Sequence, residues 1–88
     1  MEICLGQVAY SKAGRDTKKV MIVVGVIDST FVLMSDGDLR RVEKPKKKRI
    51  KHLEITNRVL EPISEKLRNG QKVSNSEIRA ALAEFKQD

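Results

Sequence analysis

The sequence predicts a mainly β domain of the α+β class: a small five-stranded antiparallel barrel over residues 1–56, followed by two short helices within residues 57–88 of the same compact unit. Three observations predict it. Short apolar runs between Gly6 and Gly37 are separated by turn signals, and the run from Val20 to Ile27 is rich in β-branched residues that suit a pleated surface. After Thr56 the apolar spacing changes from strand-like to helical.

In the first strand, Val8 and Tyr10 alternate with Gln7, Ala9 and Ser11, the pattern of a strand with one buried face, and Gly6 permits a bend ahead of it. The segment Lys12 to Lys19 gathers Lys12, Arg15, Lys18 and Lys19 around Gly14, so it reads as an exposed basic loop whose backbone can approach a ligand. From Val20 to Ile27 apolar residues occupy both parities, which predicts a central strand covered on both faces, with Gly25 as a bulge. Asp28-Ser29-Thr30 is a hairpin turn, Phe31 to Met34 returns antiparallel, and Asp36-Gly37-Asp38 turns the chain again. Leu39 to Val42 is the expected fourth strand. Lys44 to Arg49 contains Pro45 and a run of like charges, so an extended, solvated connection is expected there. Ile50 to Ile55 closes the barrel as a fifth strand, although Ile50 is out of step with Leu53 and Ile55.

Leu60, Ile63 and Leu67 lie at helical spacing, Pro62 suits a first turn and Asn69-Gly70 a stop, which predicts a helix from about Glu61 to Arg68. Ser74 to Glu77 has capping-box spacing, and Ile78, Ala81, Leu82 and Phe85 then form one apolar stripe. Helices this short are marginal alone and must pack on the barrel, on each other or on a partner.

Eighty-eight residues support one domain with a single small core and no large enzyme cleft. Charged residues make up 34% of the chain, and the net charge of +6 favours polyanionic partners. The charge is local. Residues 40 to 52 contain Arg40, Arg41, Lys44, Lys46, Lys47, Lys48, Arg49 and Lys51 against Glu43 alone, a net of +7, so the rest of the chain sums to −1 with His52 neutral. A concentrated block raises the potential at one site, and each phosphate it neutralises steepens the salt dependence of binding. Charge runs are commonly solvated loops, but this one lies between candidate strands in a domain with a second basic loop, which favours a nucleic-acid face. A short Lys/Arg run with Pro also matches nuclear import addresses, a weakly specific pattern.

Catalytic constellations are absent. His52 is the one histidine and reads as a strand-end residue or a phosphate or base-edge contact. Cys4, the single cysteine, excludes an internal disulfide and a Cys/His zinc site, and its neighbours Ile3 and Leu5 suggest a small buried residue. Asp28, Asp36 and Asp38 fit turns and lack the spacing of an EF-hand loop. No cofactor and no metal are expected. Of the aromatics, Phe31 and Phe85 fit core positions, while Tyr10 is either a core ring with its hydroxyl at the rim or a single base-stacking group; a multi-base stacking platform is therefore not expected. No segment has the pattern of a signal peptide or membrane span, so a cytoplasmic monomer without membrane partners is expected.

The segment Gly6-Gln7-Val8 through Lys12-Ala13-Gly14-Arg15-Asp16, followed by Val20 to Ile27 and Phe31-Val32-Leu33-Met34-Ser35-Asp36-Gly37, resembles a KOW motif. Ser11 to Asp16 together with Ile50-Lys51-His52-Leu53-Glu54 is similar to the archaeal and eukaryotic large-subunit ribosomal protein of the fourteen-e type, and closer still to small bacterial KOW-domain RNA-binding proteins. The resemblance covers residues 3 to about 55, and the helical tail from Asn57 departs from the ribosomal protein. It implies an SH3-like barrel and association with RNA or the ribosome, with Lys12, Gly14 and Arg15 on the motif's glycine loop.

The residues thus point to a non-enzymatic module binding structured RNA, with Lys12, Gly14, Arg15, Lys18 and Lys19 on one edge and Arg40, Arg41, Lys44, Lys46, Lys47, Lys48, Arg49, Lys51 and His52 on the other. The alternative is an adaptor that binds ribosomal, transcription or translation proteins through the barrel edge or the Ile78/Leu82/Phe85 stripe.

Overall fold

Val20 to Val26 form a strand whose two faces enter two different cores, as apolar residues at both parities require. Val20 and Ile22 join an apolar cluster with Val8, Leu60, Ile63, Val73, Ile78 and Leu82. Met21 and Val23 join Ala9, Val32, Met34 and Leu53 on the opposite face. The structure, a computed structural model, describes residues 2–12 and 19–85. Its strands are β1 (Gln7–Ser11), β2 (Val20–Val26), β3 (Phe31–Ser35), β4 (Lys46–Arg49) and β5 (Leu53–Val59), with a 3₁₀ turn at Ile50–His52 between the last two. Helices α1 (Ile63–Arg68) and α2 (Asn75–Leu82) follow, and a 3₁₀ turn at Ala83–Phe85 ends the described chain.

All strand pairs are antiparallel in the order β4-β3-β2-β1-β5. The sheet curls around the Met21/Met34 cluster but is not closed, since β4 and β5 are its two edges. Lys48 on β4 crosses the concave side, and its Nζ donates to Ser11 Oγ on β1 at 3.1 Å. The pairing register shifts between Val23 and Gly25, the expected bulge. Asp28 Oδ1 accepts from the backbone N–H groups of Thr30 and Phe31, both at 2.8 Å, which fixes the β2–β3 hairpin.

The expected fourth strand at Leu39–Val42 is replaced by turns. Asp36 Oδ1 accepts from Asp38 N and Arg40 N, Ser35 Oγ donates to Arg40 O, and Val42 N donates to Asn75 Oδ1. These bonds occupy the groups a strand would need. Leu39 is 68% exposed, and β4 forms instead from the basic run. The fifth strand begins later than expected: Ile50 sits in the 3₁₀ turn, which explains why it is out of step with Leu53 and Ile55.

The helices cover the convex side of β1 and β2. Ile78 and Leu82 are fully buried, with Tyr10, Val24, Leu67, Ala81 and Phe85 packed around them. Tyr10 is therefore a half-buried packing ring. Of the stripe expected as an adaptor surface, Ile78 and Leu82 are buried in the domain's own core and Phe85 is half-buried against it. Gly70 takes φ +70° just after α1, the expected stop.

Helix α2 starts with the expected capping box. Ser74 Oγ accepts from Glu77 N at 3.1 Å, while Glu77 Oε2 accepts from Ser74 N at 3.0 Å. Lys66 Nζ also donates to Glu77 Oε1 at 2.6 Å, and this bond, then the Ser74 N–H, holds the Glu77 carboxyl below its ordinary value. A carboxyl lowered on folding contributes stability that is fully present above its unfolded pKa and is lost as the pH falls through its folded pKa. Thermal melts of Glu77→Gln should therefore show a smaller acid-side loss of stability than wild type, and Ser74→Ala should cost about 1 kcal/mol at neutral pH. Equal acid profiles would show that this ion pair does not contribute.

Candidate nucleic-acid interface

Four successive cations are poor strand formers by propensity, so β4 exists because its partner β3 and its edge position permit it. Charged side chains on an edge strand also discourage pairing with another chain. The register places Arg49 opposite Phe31, Lys48 opposite Val32, Lys47 opposite Leu33 and Lys46 opposite Met34. With side chains alternating across the sheet, Lys47 and Arg49 project to the convex side beside Phe31. Lys47 Nζ lies 4.3 Å and the Arg49 guanidinium carbon 5.3 Å from the Phe31 ring centroid.

Lys48 takes the opposite parity and is only 8% exposed. Its ammonium is turned inward to Ser11, which separates it from the exposed cations Lys46, Lys47 and Arg49. Phe31 also differs from its expected core position: it is half-buried and belongs to neither apolar cluster. Cys4, expected to be buried, is exposed, while its neighbours Ile3 and Leu5 pack on the concave cluster.

The 3₁₀ turn links the Phe31 end of β4 to the end of β1. Ile50 N donates to Thr30 O at 2.8 Å, and Lys12 N donates to His52 O at 2.8 Å. Exposed Lys51 and half-buried His52 thereby stand beside exposed Lys12, and Ser11 N reaches Lys19 O at 3.0 Å. Gly14, Arg15 and Lys18 lie outside the described residues.

At the start of β4, a different set of bonds orients the cations. Asn75 on α2 accepts from Val42 N through Oδ1 and donates through Nδ2 to Glu43 at 2.7 Å, which holds the Glu43 carboxyl below its ordinary range. Arg79 Nη1 donates to Gly37 O at 2.7 Å. The turn carrying half-buried Arg40 and exposed Arg41 and Lys44 is thus fastened to α2. Arg41 pairs with Glu43 at 3.8 Å, an exposed ion pair of little energetic weight that leaves the guanidinium accessible.

Three exposed cations on one edge strand, extended by Lys51 and Lys12 at one end and by Arg41 and Lys44 at the other, make a positive border along the sheet. Such a border suits a row of phosphates, for which Arg and Lys supply charge-assisted donors. Among the described residues no group of His, Cys, Asp and Glu could hold a metal ion, and no helix is long and apolar enough to cross a membrane.

No family model matches the sequence. The chain is 31% identical over 71 residues to a protein of Bacillus subtilis (strain 168) named "Putative ribosome-binding protein YbzG", spanning 81% of this chain and 96% of that relative. The chain belongs to the YbzG family. A match of that length is longer than residues 1–59, so the similarity within the YbzG family extends past the sheet into the helical end.

Phe31 is the residue that sequence reasoning misplaced most consequentially. Its signal was present but non-local: an aromatic at the first position of a strand whose neighbour is a cationic run.

Proposed function

We propose that this chain is a non-enzymatic, ribosome-associated module that contacts the phosphate backbone of structured RNA through the β4 edge. The observation that carries this reading is the edge strand itself, built from Lys46, Lys47, Lys48 and Arg49 with three of the four side chains exposed. The ribosome-binding name of its Bacillus subtilis relative supports a ribosomal partner, which would place the protein in the cytoplasm. Five short antiparallel strands curled around the Met21/Met34 cluster, with a 3₁₀ turn before the last, support an SH3-like barrel of the KOW kind. Lys12 and Lys19 extend the basic edge toward residues 13–18, where the KOW resemblance would add Gly14 and Arg15 and the basic run of the sequence would add Lys18.

The adaptor reading is weakened because Ile78 and Leu82 of the apolar helix stripe are buried and Phe85 packs against them, which leaves it the sheet edges alone. Sedimentation of the purified chain with ribosomes across a salt series tests the proposal. Co-sedimentation that weakens steeply with salt is the expected result; a failure to sediment at low salt would overturn it.

A further inference from the structure

The convex face of the sheet is covered unevenly. Helices α1 and α2 lie over Val8, Tyr10, Val20, Ile22 and Val24, whereas Phe31 on β3 belongs to neither apolar cluster. Its ring is flanked by the side chains of Lys47 and Arg49, and the adjoining hairpin exposes Val26 by 52% and Ile27 by 47%. An aromatic ring, two aliphatic side chains and two cations therefore share the end of the sheet where β3 begins.

We propose that Phe31 is a stacking site for a single unpaired RNA base, with Lys47 and Arg49 holding the phosphates on either side of it. This rests on the reading of the β4 edge as an RNA-contacting surface. Three physical points favour an RNA base as occupant. A base offers a flat face for the ring and phosphates for the cations, so one nucleotide satisfies both halves of the patch. The two cations over the ring together contribute roughly five- to thirtyfold to an equilibrium and a stacked base roughly five- to a hundredfold, and because the cations regain partners on the phosphates, the nucleotide can take their place on the ring. The displaced ammonium and guanidinium sit on flexible stems beside the ring and need only rotate to reach phosphate. One ring accommodates one base, which makes the site a reader of a bulged or looped-out nucleotide within folded RNA.

The test compares two RNAs sharing one stem, one with a single bulged uridine and one fully paired. Phe31→Leu keeps an apolar residue in β3 but removes the ring. It should weaken binding to the bulged RNA fivefold or more and leave binding to the paired RNA unchanged. Equal weakening on both would show that Phe31 only supports β4, and no weakening on either would also overturn the stacking site. Loss of ribosome co-sedimentation with both RNA affinities intact would assign the patch to a protein partner instead. Wild-type protein that binds neither RNA would overturn the phosphate-binding reading along with this one, which separates the two failures. The chain contains no tryptophan, so Phe31→Trp supplies a second readout. Its fluorescence should be quenched by the bulged RNA and not by the paired one.

Discussion

Replacing Lys46, Lys47, Arg49 and Lys51 together with alanine is expected to weaken duplex RNA binding by on the order of a hundredfold near 0.1 M salt and to flatten its salt dependence. Each duplex phosphate left without its cation lowers the slope of log affinity against log salt by about 0.9, so four of them lower it by about 3 to 4. All four side chains are exposed, and their removal takes nothing from either apolar cluster, so the variant should fold. Fluorescence anisotropy with a labelled duplex across a salt series gives both quantities.

Lys48→Ala is the internal control. Its ammonium is buried and donates to Ser11, and its stem lies on the concave core, so the variant should lose about 1–3 kcal/mol of stability. Its salt slope should stay within about 1 of the wild-type value. If Lys48→Ala flattens the slope as much as Lys47→Ala does, the alternation along β4 has no bearing on binding, and the basic segment acts as a diffuse charge.

That contrast also marks the boundary of what the sequence makes legible. The two-faced strand at Val20, the bulge at Gly25 and the capping box at Ser74 depend on residues close together in the chain, and all three were readable. The strand Lys46–Arg49 was not, because Lys has no preference for strands and the segment is extended only through pairing with β3. Leu39 and Val42 gave a local apolar signal, but the side chains of Ser35, Asp36 and Asn75 bind the backbone there first. Which of Lys47 and Lys48 faces water is a question of register against Leu33 and Val32, and four identical or similar charges carry no hydrophobic pattern to set it. The basic edge could be located from composition, whereas the division of its cations between outward and inward could not.

Gly37→Ala should be strongly destabilising, and Gly70→Ala shows why backbone angle alone is an insufficient reason. Both glycines have positive φ, +75° for Gly37 and +70° for Gly70, so alanine at either position carries the left-handed penalty of about 1–2 kcal/mol. A Cβ on Gly70 meets nothing within 4 Å. A Cβ on Gly37 would overlap the backbone oxygen of Asn75 and come within 3.1 Å of Ile78 Cβ. Neither obstacle is a side-chain tip that can swing aside, so the Asp36–Arg40 turn and the first turn of α2 must separate. That separation also strains the Arg79–Gly37 and Asn75–Val42 bonds, which hold the start of the basic segment against the helix. A total cost of about 3 kcal/mol or more is expected for Gly37→Ala. At about 4–8 °C per kcal/mol for a domain of this size, its melting temperature should fall by roughly 12 °C or more, against roughly 4–16 °C for Gly70→Ala. Because those ranges touch, the decisive comparison is with Asn75→Ala as a second change. The cost of Asn75→Ala should be smaller in a Gly37→Ala background than in wild type, since its bond to Val42 has already been strained, and unchanged in a Gly70→Ala background. Additive costs in both backgrounds would show that Gly37 is required only for its backbone angle and that the helix does not depend on its close approach.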